Sequence, residues 1–226
     1  MFGDIPNRTI GKMRAYALRR KLTNKDGQIV FLDPFYKIKV YKGNGAKFIV
    51  NGKLVFVAYP TGDRTTFISL GDNSTLEING DFHINSGVQI IVDKNGFLRI
   101  GGKGIERECG ISSDSRIEVY KKIEIGKDFI CGFNVYITDG DRHCVKYDDL
   151  IQNLQSDVLI GDHVWICHGT SILKGTKIGR GCIVGSKSLL SQKTFPENSL
   201  IAGIPAKIIK SSCSWQYDFP DATENT

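Results

Sequence analysis

No run of apolar residues in this chain approaches the roughly 18 needed to cross a bilayer. The opening MFGDIPNRTIGKMRAY has neither the apolar core nor the small-residue cleavage site of an export signal. A cytoplasmic protein is expected. The six cysteines, at 109, 131, 144, 167, 182 and 213, form no CxxC pair and no short regular spacing. That argues against a zinc ribbon and a disulfide framework and favours free thiols. Histidine is scarce, at four residues, and tryptophan scarcer, at two, so each invites separate weighing. With 41% hydrophobic and 24% charged residues, the 226-residue chain has an ordinary globular composition and can bury a core.

Positive charge is in excess, and it sits at one end. Thirty Lys and Arg against 24 Asp and Glu give a formal +6. Arg8, Lys12, Arg14, Arg19, Arg20, Lys21 and Lys25 crowd the first stretch, opposed there only by Asp4 and Asp26. Such asymmetry suits a phosphorylated cofactor, an acidic glycan, a membrane surface or nucleic acid, and equally a solvated helix face. No nucleic-acid module accompanies it, so no nucleic-acid partner is expected. Peripheral membrane contact through the basic N-terminus stays open. Ile10, Met13, Ala17, Leu18 and Leu22 predict one short amphipathic helix. From Ile29 the pattern changes to short β segments, read as irregular opening turns or as a small β cap.

The informative stretch is VLIGDHVWICHGTSILKGTKIGRGCIVGSKSLL, from Val158 to Leu190. Aliphatic residues fall at every sixth position, Ile160, Ile166, Ile172, Ile178, Val184 and Leu190, with Val158, Val164, Thr170, Thr176, Cys182 and Ser188 in step. A helix repeats at 3.6 and a strand at 2. A period of six is that of a solenoid whose coil has short straight faces, each placing an aliphatic residue in the bore and turning on small residues such as Gly161, Gly179 or Gly185. The rhythm starts near Leu70, breaks at DKNGFLRIGGKG, resumes at Ile111 and runs to Ile137. The expected organisation is an N-terminal helix and β cap over 1–67, a solenoid domain over 68–210 and a C-terminal tail over 211–226. About twenty residues, TDGDRHCVKYDDLIQNLQSD, interrupt the rhythm and leave its phase intact. They predict a protruding loop at about 139–157 that leaves and rejoins the coil at a corner.

The strings VLIGDHVWIC, ILKGTKIG, VGSKS and GIPAK resemble the C-terminal signature of the hexapeptide-repeat acyltransferases, most closely the maltose, galactoside and capsular-polysaccharide sugar O-acetyltransferases. Cys167 and His168 stand where that family has a glycine and a small residue. The resemblance implies an all-β, left-handed parallel β-helix that forms a homotrimer with active sites between subunits. It implies an acetyl-CoA-dependent enzyme that acetylates a carbohydrate hydroxyl, of a surface polysaccharide or its precursor. Acetylation of an amino-sugar nucleotide is the nearest alternative; a metal-dependent hydratase and a non-catalytic scaffold are more remote.

By the same resemblance, His143 in DGDRH is the general base, with Asp139 or Asp141 orienting its ring. An imidazole titrates near neutrality and can take a proton from a sugar hydroxyl as it attacks the thioester. Trp165 would flank the donor channel. His168, Gly185, Ser186, Ser188, Gly203, Pro205, Ala206, Lys207 and Lys210 would bind acetyl-CoA, the lysines meeting phosphate charge. The spacing of His163 and His168 resembles the zinc histidines of the γ-class carbonic anhydrases, but His83 and His143 lie at unsuitable intervals for a third ligand, so no metal is expected. Trp215, Tyr217 and Phe219 are expected to pack back on the last coil.

Overall fold

The computed structural model describes residues 7–24, 26–58, 64–102, 109–152 and 154–217. Lys25 and Phe219 lie outside them. The chain winds as a left-handed parallel β-helix, visiting three sheets in strict rotation. We call them faces A, B and C, starting with Gln28–Phe31, Ile38–Lys42 and Lys47–Asn51.

Registration stacks the bore residues into columns. On face A the column runs Phe56, Ile84, Ile111, Cys131, Ile166, Val184, Ile201. Face B carries Ile68, Ile90, Ile117, Ile137, Ile172, Leu190. Face C carries Val50, Ile78, Ile100, Ile125, Ile160, Ile178, Phe195. Every one of these side chains is buried, and burying each contributes about 1.5–3 kcal/mol. Because the partners lie in neighbouring coils, no coil satisfies its own apolar surface.

The coil starts at Gln28, well before the expected boundary at 68, which falls inside the strand Thr66–Leu70. The opening β segments are therefore turns of the solenoid and not a separate cap. Their rhythm is hidden because face B is wider there. Thr66, Ile68 and Leu70, then Val88, Ile90 and Val92, place three residues inward, whereas Thr170 and Ile172 place two. The helix, Asn7–Arg19, does the capping: Leu18 and Leu22 are buried on the first coil. The Thr23 hydroxyl accepts from the Phe48 amide at 2.8 Å and Asn24 bonds both ways with Val50, covering an open strand edge. At the other end Ala206–Lys210 pairs antiparallel with Leu200–Gly203.

The corners divide two tasks that the sequence reading gave to glycine alone. The left-handed backbone falls at Gly181, but also at His163, Lys187 and Asn198. Gly161 and Gly179 are needed for close approach instead: a Cβ there would lie 2.7 Å from the Arg180 amide and 2.5 Å from the Glu197 amide.

Truncating one column residue should therefore loosen two interfaces at once. Ile172→Ala should lower unfolding free energy by about 2–5 kcal/mol in a denaturant titration. Tyr16→Ala, on an exposed side chain of the helix, should stay within about 0.5 kcal/mol.

Candidate active site

The segment between Thr138 and Val158 leaves the coil at the corner joining faces B and C. Its neck is closed by the Gly140–Gln155 bridge and by the Asp141 amide donating to Leu154 at 2.8 Å. Beyond the neck, Lys146–Tyr147 and Leu150–Ile151 form a small antiparallel hairpin with exposed side chains.

His143 stands on this loop, exposed, and makes no hydrogen bond among the described residues. Neither aspartate expected to orient it reaches the ring. Asp139 is fully buried and brackets the corner: its carboxylate accepts from the amides of Tyr120 at 2.7 Å, Lys121 at 2.8 Å, and Lys122. Burial pushes that carboxyl up, against the pull of the three amides. Asp141 pairs with Lys174 at 2.5 Å.

Arg142 fixes the loop beside His143. Its guanidinium donates to Glu118 at 2.7 Å and to the Tyr120 hydroxyl at 3.0 Å. Glu118 also accepts from the Tyr136 hydroxyl at 2.8 Å and from Arg116. Burial alone would raise the Glu118 carboxyl, but Tyr136, Arg116 and Arg142 outweigh it and hold the group below the ordinary range. Sequence reasoning missed this anchor, because Glu118 lies one coil before Arg142 and only the register brings them together.

The residues expected to bind the donor lie elsewhere, at and beyond the corner joining faces A and B. His168 and Ser186 are exposed there on adjacent coils, tied by the Lys187 amide donating to the His168 carbonyl at 2.9 Å. Ser188 is buried, its hydroxyl donating to the Gly185 carbonyl at 2.6 Å and accepting from the Gly203 amide at 3.2 Å. It ties its own corner to the next coil. Gly203, with φ of 108°, opens the tight turn through Pro205 to Ala206. Lys207 and Lys210 are exposed on the strand that follows. Small residues at the corner and cations beyond it suit a long donor with phosphates at one end.

Trp165 projects from face A between Ile130 and Ile183, 38% exposed. It overlooks a groove of about 480 Å³ shared with His83, Asn85, Ser112, Gly132 and Tyr217. His163 and His168 stand at different corners, so one chain cannot aim both at a single ion. His163 is engaged with Asp128 at 2.5 Å and with Trp215. The expected packing of the tail on the last coil is corrected by this contact: Trp215 and Tyr217 reach back to earlier coils at His163 and Asp128. Among the described residues, no group of three or more His, Cys, Asp or Glu side chains is placed to hold a metal.

Residues 157–192 match the family described as bacterial transferase hexapeptide, six repeats. A protein of the cps region of Klebsiella pneumoniae is 30% identical over 183 residues, covering 80% of this chain and 79% of that protein. Escherichia coli WbbJ, named for lipopolysaccharide biosynthesis O-acetyl transfer, is 37% identical over 100 residues, 40% of this chain and 50% of WbbJ. The chain thus spans about half the length of that relative. Among solved structures, the polysialic acid O-acetyltransferase OatWY superposes with a TM-score of 0.53 at 25% identity, covering 84% of this chain and 95% of that one.

The buried Glu118 anchor gives a pH signature. A depressed carboxyl stabilises the fold above its ordinary value near 4.5, and the contribution is lost as pH falls through the lower folded value. Glu118→Gln should melt below the native chain at neutral pH, and the gap should close on acidification. A gap that is constant from pH 7 to pH 3 would contradict an ionised anchor.

Proposed function

Since the chain belongs to the hexapeptide-repeat acyltransferases, we propose that it transfers acetyl from acetyl-CoA to a carbohydrate hydroxyl, on a surface polysaccharide or its precursor. The likeness to OatWY over most of both chains, and to WbbJ over part of them, supports a sugar acceptor and O-acetylation.

The observation that carries the reading is His143, an imidazole with no partner among the described residues, on a loop pinned at its root by Asp139 and beside it by Arg142. In the proposed step the imidazole takes the acceptor hydroxyl proton as the oxygen attacks the thioester carbon. Collapse of the tetrahedral intermediate breaks the carbon–sulfur bond, and the imidazolium returns the proton to the departing thiolate. Lys207 and Lys210 meet the phosphates of the donor, Trp165 stands between donor and acceptor, and the groove on its side away from His168, along His83, Asn85 and Ser112, takes the acceptor.

One chain does not complete this site. His143 stands at the corner of faces B and C, opposite face A, which carries Trp165, and the width of face B away from His168 at the corner of faces A and B. A homotrimer, in which the loop of one copy meets face A of the next, brings them together. The exposed apolar hairpin, with Tyr147 at 66%, Leu150 at 70% and Ile151 at 64%, supplies a surface for that contact.

His143→Ala should keep the fold and the affinity for acetyl-CoA while turnover falls by about two to four orders of magnitude. Lys207→Ala should raise the KM for acetyl-CoA and spare most of the rate at saturation. These variants are read by acetyl transfer to a panel of glycans and nucleotide sugars, and near-native turnover of His143→Ala would move the base elsewhere. Sedimentation should give a trimer, and Leu150→Asp should shift it toward monomer. A native chain that sediments only as monomer would overturn the shared site.

A further inference from the structure

The tail from Cys213 to Tyr217 is built into the fold as a strap along the corner joining faces C and A. The Cys213 amide donates to the Asn198 carbonyl at 2.7 Å. The Trp215 indole N–H donates to the His163 carbonyl at 3.0 Å, and the two rings stack at 4.0 Å with 3° between their planes. The Tyr217 hydroxyl donates to Asp128 Oδ1 at 2.7 Å. Asn198, His163 and Asp128 all have left-handed backbone, with φ of 55°, 54° and 56°. One corner conformation, repeated up the stack, thus supplies all three attachment points.

His163 closes the strap. Its Nδ1 faces Asp128 Oδ2 at 2.5 Å and its Nε2 faces the Trp215 carbonyl at 3.0 Å. Both ring nitrogens are occupied, so the ring is spent on holding the tail and is free for neither metal nor base chemistry. The same carboxylate that receives His163 receives Tyr217, so the two anchors are coupled through Asp128.

The strap also faces the groove. Trp215 meets Trp165 with ring centroids 6.1 Å apart, and Tyr217 lines the groove with Trp165, His83, Asn85 and Ser112. The floor between is low because Gly110 stands in the column between His83 and Ile130. Aromatic surfaces suit the C–H faces of a sugar ring, and the imidazole, amide and hydroxyl suit its hydroxyl groups. Burial and Asp128 both push the Tyr217 phenol up, and the hydrogen bond to Asp128 holds its ring in place.

We infer that this strap is the second wall of the acceptor groove and that Tyr217 selects which sugars enter, with Asp128 and His163 as positioning residues. The inference rests on the proposed sugar transfer. It assigns to the C-terminal tail a role that the hexapeptide coil itself does not supply.

The test uses the full chain with acetyl-CoA and a panel of hexose, amino-sugar and sialic acid oligosaccharides. Tyr217→Ala should raise acceptor KM about tenfold or more and alter the ranking of kcat/KM among acceptors. The kcat and the KM for acetyl-CoA should change little, the mark of lost ground-state binding. Tyr217→Phe keeps the ring and should fall between the two, which covers the case in which the alanine variant folds poorly. His163→Gln should reproduce the acceptor KM effect, and His163→Asn, able to reach Asp128 through a shorter arm, should restore part of it. Because the chain has two tryptophans, Trp165 lining this groove and Trp215 packed beside it, acceptor titration should change intrinsic fluorescence in the native protein and less in Trp215→Phe. Unchanged acceptor KM and ranking in Tyr217→Ala would overturn the strap's role while native sugar acetylation stands. A native chain that transfers acetyl to no sugar on the panel would overturn the underlying reading, and the strap's role with it.

Discussion

The structure depends on stacking identical inward positions across coils. Each of the three columns is continuous from the early coils to the last, and every member is buried. Hydrophobic burial between neighbours, at about 1.5–3 kcal/mol per side chain, is what repays the ordering of a chain with very little helix. It also fixes register, since a slip of one residue would turn every column outward. Ends are the weak point of such a stack. They are closed by Leu18, Leu22, Thr23 and Asn24 at one side and by Ala206–Lys210 at the other.

A filled bore leaves chemistry to corners and outer faces. The faces between are short and rigid, so corner groups keep their spacing. Asp139 shows how a corner is locked, with one carboxylate gathering three successive amides from the coil beneath. Arg142 and Glu118 then fix the loop that carries His143. Three corners with three contents follow from this arrangement: the loop at one, the exposed His168 and Ser186 at the second, and the strap on His163 at the third. Assembly of several copies is the natural way to bring the first two together.

Much of this was legible in the sequence. The six-residue step from Ile160 to Leu190 named the solenoid, and the in-phase interruption after Thr138 falls where the chain passes from face B to face C. The early coils were less legible, because a third inward residue on face B, such as Leu70 or Val92, stretches the period. The backbone contacts of Asp139 and Ser188 escaped the sequence for a common reason. Polar residues next to a motif look available, and only coordinates show that their oxygens already bind backbone. The contacts Glu118–Arg142 and Tyr217–Asp128 join residues far apart in sequence. No local pattern announces them.

The central claim is that a complete site takes His143 from one copy and Trp165 from the next. Complementation tests it most directly. His143→Ala and Trp165→Ala, each with low activity alone, are unfolded together, refolded as a mixture, and assayed for acetyl transfer. A shared site predicts recovery to about a quarter of native turnover, since random mixing in a ring leaves about one junction in four with both native residues. A mixture no more active than the two variants kept apart would contradict it.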